Sequence, residues 1–526
     1  MTRSTLVRTL LVGGLVVAAG TTAVTLPLLA SAATTVYEAE SATISQGVVA
    51  NNHASFTGTG FVDYNNVSGS YVEFSVPASK AGTVTLSFRY ANGGTTDRPV
   101  AVTVNGTSAG TLAEASTGDW ATWQSAKLTA TLATGTNKIR ATATTASGGG
   151  NLDSLTVTDG GTPTTDWSLA VVKSTMAGPA PTSWSYPVAL YMYGQYLVFQ
   201  RTHDPKLLSY IQTWADRFVA PDGTIKNSFT SLDSMMPGLV LDVLYNQTHL
   251  TKYKTAATTI YNRMEGGSWP RTSDGGLEHA FARPHQLWGD GTFMALPFLV
   301  NYGALVGDSK QKATAYAEAI NQLIIYNTHL QSPNGLLYHA YDESGTQSWV
   351  VPGTRHSPES WCRAVGWYAM ATTIVLDTVP TTQPNRAKVI TILQRLVTAM
   401  KKYQDPATGR WFQVVDKGTR SDNWTETSCS SMFTYTISRA VEKGYVAASF
   451  KPVATAGYLG RNGDGTGGVL GRISLDSAGH TQLAQICIGT NVGDYAFYIG
   501  RPRATNDFHG LGSFLIMSEQ LRRTTP

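Results

Sequence analysis

The spacing of apolar residues changes once along this 526-residue chain, at about Trp167. Before that point, apolar and polar residues alternate in short runs such as 84–90 and 100–104, with Gly, Asn and Ser between them. After it, apolar residues recur every three to four positions, as in 313–326 and 389–400. A period of two is that of a half-buried strand, and a period of about 3.6 is that of an amphipathic helix. The sequence therefore predicts two domains of different structural class.

The alternating part, residues 33–158, predicts an antiparallel β-sandwich of the jelly-roll kind, because short strands joined by tight turns are typical of that architecture. Asn105-Gly106, followed by Thr, is an expected hairpin turn. The helical part, residues 167–526, predicts an all-α (α/α)6 toroid in which helix pairs close into a ring. An open superhelical repeat array is the alternative, and the lack of a fixed-period repeat argues against it. Residues 159–166 have the composition of a flexible linker.

Residues 1–32 have the pattern of a secretory signal peptide. Arg3 and Arg8 flank the start of an apolar run, 10–29, and Ala30-Ser31-Ala32 is a small-residue cleavage site. A membrane anchor is the alternative, but the cleavage site and the polar sequence after it favour removal. We therefore expect a secreted, extracellular protein that is not held in a membrane once the signal is removed.

Charge and cysteine content narrow the function further. The formal net charge is +4 and no basic run is present, so we do not expect nucleic-acid binding. The three cysteines, Cys362, Cys429 and Cys487, lack metal-type spacing. At most one disulfide can form, and we expect three buried thiols instead. We also expect a monomer.

Asp290 lies between two glycines in an apolar stretch, 285–299, with Trp288 just upstream. Carboxylates are uncommon in such surroundings unless they are paired or functional. Because burial disfavours the charged form, we expect a raised pKa, as a proton donor near neutral pH requires. The alternative is that Asp290 only caps the helix that follows, by accepting the N–H of Thr292 or Phe293.

Four further segments contain side chains that could take part in catalysis or substrate binding. Asp233 precedes a predicted helix, where N-capping is the alternative to function. His279 follows Trp269 and leads toward Asp290 in the sequence. His339 lies among aromatic residues, where a structural histidine is the alternative. Arg363, two residues after Trp361, offers a planar fork that suits a sugar carboxylate, with a structural ion pair as the alternative.

The first domain resembles the carbohydrate-binding modules of families 6 and 35 over its whole length. The matching motifs are Tyr37-Glu38-Ala39-Glu40, Phe88-Arg89-Tyr90-Ala91-Asn92-Gly93, Gly118-Asp119-Trp120-Ala121-Thr122-Trp123, Gly135-Thr136-Asn137-Lys138-Ile139 and Asn151-Leu152-Asp153. The resemblance implies a structural calcium held by Glu38, Glu40 and Asp153. Carboxylates at alternate positions plus a distant third suit a hard cation with oxygen ligands, and solvated surface charge is the alternative. The resemblance also implies a sugar-binding cleft, in family 35 often for uronic acids, containing Tyr90, Trp120 and Asn151.

The second domain resembles the unsaturated glucuronyl and rhamnogalacturonyl hydrolases of glycoside hydrolase family 105, and more weakly family 88. The segments around Asp290 and from Trp361 to Trp367 carry the resemblance most specifically, and it extends to the 426–428 and 510–512 segments. It implies that Asp290 is the general acid/base and that Asp233 is its acidic companion. The implied substrate contacts are His339, Trp361 and Arg363, with Trp288 and His279 at the edge. Some family members have Lys where this chain has Ala280, which puts contacts to the leaving-group sugar in doubt.

The resemblance implies that the enzyme removes a 4,5-unsaturated uronic acid from the non-reducing end of lyase-generated oligosaccharides of the rhamnogalacturonan or pectin type. Asp290 would protonate C4, water would add at C5, and no metal would be required for catalysis. Three alternatives stay open. They are an unsaturated glucuronyl hydrolase for another polysaccharide, an ordinary inverting glycosidase that uses Asp233 and Asp290, and a non-catalytic polysaccharide-binding protein.

Overall fold

The computed structural model describes residues 34–78, 81–159, 166–463 and 465–524. The predicted signal peptide and most of the predicted linker lie outside these ranges. Two compact units follow one another along the chain, with the division between the last strand of the first and the first helix of the second. Within the described residues, no helix combines the length and the apolar character needed to cross a membrane.

The first unit is an antiparallel β-sandwich, as predicted. Its strands are β1 (Thr34–Glu38), β2 (Thr43–Ser45), β3 (Gly47–Ala50), β4 (Phe61–Tyr64), β5 (Tyr71–Ala78), β6 (Gly82–Ala91), β7 (Val100–Val104), β8 (Thr107–Leu112), β9 (Gln124–Leu132), β10 (Gly135–Ala143) and β11 (Asn151–Asp159). One sheet has the order β3-β4-β11-β6-β9, with β1 also paired to β11, and the other has the order β2-β5-β10-β7-β8. Asn105 and Gly106 both have positive φ, which is the backbone of the predicted hairpin turn between β7 and β8.

Alternation in the sequence becomes the sandwich core because successive side chains of a strand point to opposite faces. In β5, Val72, Phe74 and Val76 are buried while the residues between them are wholly or partly exposed. Leu86 and Phe88 of β6, in the other sheet, belong to the same hydrophobic cluster. The interior between the sheets is thus apolar, and the polar residues that could bind ligands lie at the strand ends and in the loops.

The second unit is helical. Its helices are α1 (Trp167–Ala177), α2 (Tyr186–Thr202), α3 (Pro205–Ala215), α4 (Leu232–Met235), α5 (Gly238–Thr248), α6 (Thr251–Glu265), α7 (Gly289–Leu305), α8 (Ser309–Leu330), α9 (Cys362–Thr378), α10 (Arg386–Lys402), α11 (Thr427–Glu442), α12 (Lys451–Leu459), α13 (Tyr495–Ile499) and α14 (Phe508–Thr524). Short strand pairs join the loops: β12 (Gln286–Trp288) with β13 (Ala340–Asp342), β14 (Ile473–Leu475) with β15 (Thr481–Leu483), and β16 (Ile486–Cys487) with β17 (Arg503–Ala504).

Six of these helices close into an inner ring in the order α2, α5, α7, α9, α11 and α14, and α14 packs back on α2. Each of α3, α6, α8, α10, α12 and α1 packs outside one or two of them. Inner helices such as α9 are buried along nearly their whole length, whereas the outer helix α10 buries one face only. The predicted (α/α)6 toroid is confirmed, and the open array is excluded by the closure of the ring.

The cysteine prediction was wrong. Cys362 and Cys429 form a disulfide with their Cα atoms 5.6 Å apart, and only Cys487 is a free, buried thiol. Cys362 begins α9 and Cys429 lies in the first turn of α11, and these two inner helices are neighbours in the ring. A sequence separation of 67 residues hides this proximity, because it arises only when the ring closes.

Candidate active site

Polar residues gather at one end of the helical ring, where the inner helices begin. They lie in the first turn of a helix or cap it: Tyr186 in α2, Asp233 in the short α4 that precedes α5, Asp290 in α7, Arg363 in α9, Glu426 at the start of α11 and His509 in α14. The loops that lead into the inner helices therefore supply one common site, and the helices fix the positions of its side chains.

Asp290 is the second residue of α7 and is only 8% exposed. It does not cap the helix, because Trp288 occupies the N-cap position and no side chain makes a cap hydrogen bond there. Its Oδ2 lies 3.0 Å from Nε2 of His339. The capping alternative is excluded, and the carboxylate is directed to another side chain across the site.

His339 is completely buried and joins two groups. Its Nε2 faces Asp290, and its Nδ1 lies 2.6 Å from the hydroxyl of Tyr498. Burial raises the pKa of Tyr498, so this hydroxyl keeps its proton. Tyr498 can therefore donate to Nδ1 while the N–H at Nε2 donates to Asp290, an arrangement that holds a neutral imidazole in one tautomer.

The pKa of Asp290 is displaced in the opposite direction from that expected from sequence. Burial acts to raise it, but the interaction with His339, which donates a hydrogen bond, together with the nearby His279 and Arg363, lowers it below its usual value. The pKa of His339 is also lowered, with burial as the main cause. We therefore assign an ionised Asp290 and a neutral His339 at neutral pH. The sequence revealed the apolar surroundings of Asp290 but not the donors brought to it from distant segments.

Asp233 and Asp290 share His279 as a neighbour. Asp233 follows Ser231, which caps α4, so the capping alternative is also excluded for this residue. Its Oδ1 lies 3.5 Å from Nε2 of His279, and 34% of its side chain is exposed. His279 stacks on Trp288 with the ring centroids 4.7 Å apart and the planes 6° from parallel. The site thus contains a buried carboxylate, Asp290, and a partly exposed one, Asp233. The His279 imidazole lies close to Asp233 and contributes to the lowered pKa of Asp290.

Arg363 is placed differently from the expectation. It is fully buried, and its guanidinium donates to the carbonyl oxygens of Cys487 at 2.5 Å and Ile488 at 2.7 Å. Trp361 is also buried, lies under the Arg363 guanidinium and stacks on Tyr498. The expected carboxylate fork is therefore occupied by the protein backbone, and neither side chain presents a face to a sugar. Arg363 supplies a fixed positive charge beneath the site instead.

One hydrogen-bonded chain was missed by the sequence analysis. The hydroxyl of Tyr186 lies 2.6 Å from Nε2 of His509, and Nδ1 of His509 lies 2.6 Å from Oδ1 of Asp507. His509 is 5% exposed, and the charges of both Asp233 and Asp290 act on Tyr186. The only sequence signal was the position of Tyr186 and His509 at the starts of two helices, which does not show that those helices are neighbours.

In the sandwich, the three predicted calcium ligands surround one loop. Thr57 donates through its backbone N–H to Asp153 at 2.8 Å, and its hydroxyl lies 2.8 Å from Glu38, while the backbone N–H of Thr59 donates to Glu40 at 2.6 Å. Asp153 also pairs with Arg89 at 2.5 Å. One oxygen of Glu40 is buried without a hydrogen-bond partner. An orphaned carboxylate oxygen beside two further carboxylates fits the oxygen-rich surroundings that calcium prefers.

The predicted sugar-binding residues of the sandwich differ in accessibility. Trp120 is partly exposed and packs closely over Gly93. The guanidinium of Arg98 lies over its ring, 5.1 Å from the ring centroid. Tyr90 and Asn151 are only 4% and 3% exposed, and the Tyr90 hydroxyl donates to the carbonyl of Ala115. Of the three, Trp120 alone offers an aromatic surface to a ligand.

Family comparison agrees with this division into two domains. Residues 167–525 match the model of glycosyl hydrolase family 88, and residues 38–159 match the model of carbohydrate-binding module family 6. A solved family 105 glycoside hydrolase of C. acetobutylicum ATCC 824 is similar to 68% of this chain and 99% of its own, with 32% identity and a TM-score of 0.63.

Two relatives known from sequence are each similar to part of this chain. Protein Atu3128 of Agrobacterium fabrum is 30% identical over 233 residues, which is 42% of this chain and 96% of that protein. An exo-beta-D-glucosaminidase of Amycolatopsis orientalis is 54% identical over 122 residues, but these are 23% of this chain and only 12% of that enzyme. That second similarity therefore concerns one domain and not a shared activity.

Proposed function

The chain belongs to glycosyl hydrolase family 88, and on that premise we propose that it removes a 4,5-unsaturated uronic acid from the non-reducing end of lyase-generated oligosaccharides. Rhamnogalacturonan or other pectin fragments are the proposed source. The observation that supports this most is the buried Asp290, a carboxylate held by a neutral imidazole, with a second and more exposed carboxylate, Asp233, close to the neighbouring His279.

The proposed reaction needs one carboxyl group that changes roles. Protonated Asp290 gives its proton to C4 of the C4=C5 bond, and positive charge develops at C5 and the ring oxygen. A water oxygen bonds to C5 and returns a proton to Asp290. The hemiketal so formed opens between C5 and the ring oxygen, and the resulting hemiacetal at C1 releases the remaining sugar as an alcohol. No covalent glycosyl–enzyme intermediate is required, unlike in retaining enzymes.

Asp290 must gain a proton before it can act, since it is ionised in the free site. Entry of the uronate carboxylate brings a like charge close to Asp290 and displaces water from around it. Both changes raise the pKa of a carboxyl group. We propose that substrate binding itself converts Asp290 to its acid form, while the N–H of His339 steadies the carboxylate after it has given up the proton.

The remaining residues have supporting roles in this proposal. Asp233, through its exposed oxygens, accepts hydrogen bonds from substrate hydroxyls or from the attacking water. Arg363 attracts the uronate through its charge from below, without direct contact. Trp288 forms a wall of the site. No metal takes part in the proposed catalysis, and calcium is proposed only for Glu38, Glu40 and Asp153 of the sandwich.

We propose for the sandwich a carbohydrate-binding role, with Trp120 as the stacking surface and uronic-acid-containing polysaccharide as ligand. Aromatic faces supply contact area to sugar rings at low entropic cost. A sandwich bound to polymer would raise the local substrate concentration for the tethered helical domain. Secretion after removal of residues 1–32 and a monomeric state complete the proposal.

The decisive experiment follows the protonation site. The full chain is incubated in D2O with an unsaturated uronyl disaccharide and with its saturated counterpart. We expect loss of the ultraviolet absorbance of the conjugated enol, deuterium at C4 of the product, and no cleavage of the saturated sugar. Cleavage of the saturated sugar would instead support an inverting glycosidase that uses Asp233 and Asp290. Binding without any turnover would support a binding protein.

A further inference from the structure

A polar cleft of about 270 Å³ lies beside Trp288 and has no part in the chemistry proposed above. Its lining includes Arg283, Gln286, Trp288, Gln347, Trp349 and Asn491. No described carboxylate lines it. It combines two indole rings, three amides and one guanidinium. Proteins bind acidic sugars with such groups, because aromatic rings contact the sugar ring, amides bind its hydroxyls and a cation pairs with its carboxylate.

Arg283 is the charged group of this cleft, and its position is fixed by the fold. Its backbone N–H donates to Ala280 at 2.9 Å, which closes a tight turn. Its guanidinium lies over Trp288 at 4.4 Å from the ring centroid. It forms no salt bridge with a carboxylate in the described parts of the chain, and its one side-chain hydrogen bond is a long contact of 3.4 Å with Asn491. The cation is therefore oriented but lacks a counter-charge.

Trp288 separates Arg283 from the catalytic groups by a single ring. His279 stacks parallel to one face of the indole at 4.7 Å, so Arg283, centred at 4.4 Å, occupies the opposite face. His339, which contacts Asp290, meets the edge of the same indole at 5.5 Å. The cleft thus adjoins the residues around Asp290, with the Trp288 ring between them.

We propose that this cleft is a leaving-group subsite for a sugar that carries a carboxylate, with Arg283 as the residue that determines this specificity. Arg283 pairs with the carboxylate, the Gln286 and Gln347 amides bind hydroxyls, and Trp349 contacts the ring, while Trp288 holds the Arg283 guanidinium in place. Gln286 is oriented for this, because its Oε1 already accepts the Trp288 N–H at 3.0 Å and its amide N–H groups remain as donors. The inference rests on the proposed function and, within it, favours pectin fragments in which a second uronic acid follows the unsaturated one over fragments in which rhamnose follows it.

The test compares two unsaturated uronyl disaccharides whose second sugar is either a uronic acid or a neutral hexose. We expect the wild-type kcat/KM to be at least about tenfold higher for the acidic one, as one charge-assisted pair provides. Arg283→Gln should lose that preference by lowering only the acidic value, and Arg283→Lys should restore part of it. Arg503→Gln, which removes another guanidinium stacked on an indole, is the matched control and should change neither value.

A second measurement separates this inference from the proposed reaction. Calorimetry of the free uronic acid, which is the leaving-group product of the acidic disaccharide, with wild type and Arg283→Gln reports binding without turnover, and we expect at least about a tenfold weaker Kd in the variant. Equal effects of Arg283→Gln on both disaccharides, or an unchanged Kd, would overturn the acidic subsite. Absence of turnover by the wild type with an Arg283-dependent Kd would reject the proposed reaction but retain the subsite.

Discussion

In the β-sandwich, Asp153 and Glu38 accept hydrogen bonds from Thr57, and the cation beside them, Arg89, is 29% exposed. In the helical ring, Asp290 is 8% exposed and contacts His339, and the nearby cation, Arg363, is completely buried. The sandwich groups several acceptors around one loop and leaves an oxygen of Glu40 without a donor. The ring surrounds one acceptor with donors and positive charge. The first arrangement suits a metal ion, and the second holds a negative charge until a proton is needed.

The largest expected effect is on activity and belongs to the ring alone. Asp290→Asn keeps the size of the side chain but removes the acid, so kcat on an unsaturated disaccharide should fall about 10²–10⁴-fold. Asp308→Asn, at the N-cap of α8, is the matched control because Asn caps as well as Asp does. The assay follows the ultraviolet absorbance of the enol. If Asp290→Asn kept nearly wild-type activity, Asp290 would not be the acid. The functional difference between this carboxylate and those of the sandwich would then be lost.

The two arginines should differ in their contribution to stability. Arg363→Met leaves the buried carbonyls of Cys487 and Ile488 without donors and should lower the free energy of unfolding by about 3 kcal/mol. Arg89→Met removes the partly exposed partner of the buried Asp153, which keeps its hydrogen bonds from Thr57, and should cost less, about 1–2 kcal/mol. Urea titration of the full-length variants measures both. Equal costs would mean that burial of the cation is not what distinguishes the two regions.

Calcium removal should affect the sandwich only. At a calcium concentration of about 100 times Kd, binding stabilises the folded state by about 2.7 kcal/mol. Calorimetric scans with and without a chelator should therefore show one unfolding transition shifted down by several degrees and the other unchanged. Glu40→Gln should abolish the shift, because it replaces the carboxylate that has an unsatisfied oxygen. A shift of the helical transition would contradict this division.

The smallest expected effect is on the pH dependence of stability, and it belongs to the ring. Burial lowers the pKa of both His339 and His509 below the ordinary value of 6.5. As pH falls below about 6.5, the unfolded chain takes up protons that the folded chain does not, so stability decreases with falling pH. His339→Gln or His509→Gln should make this decrease shallower in thermal scans between about pH 7.5 and 5. An unchanged slope in both variants would show that these histidines do not titrate as buried neutral groups.

The sequence was sufficient for the fold because each domain has its own apolar period, and the predicted helix 313–326 lies within α8. It also singled out Asp233, His279, Asp290 and His339, which the structure brings together at one end of the ring, and their catalytic roles stay predictions. Prediction from sequence failed for contacts that form only when the ring of helices closes. The Cys362–Cys429 disulfide and the Tyr186–His509 contact join inner helices that are distant in sequence but adjacent in the ring. The contacts that lower the pKa of Asp290, and the backbone carbonyls that accept from Arg363, also come from segments that are distant in sequence.

The start of several inner helices at one end of the ring has an electrostatic consequence. Each helix N-terminus carries a partial positive charge of roughly half a unit from its aligned peptide dipoles. Tyr186, Asp290, Arg363, Glu426 and His509 all lie where these ends converge. Such a focused potential attracts anions toward the opening before any side chain touches them, and added salt weakens it. The backbone alone thus gives this end of the toroid a positive polarity, which agrees with the acidic substrate that we propose.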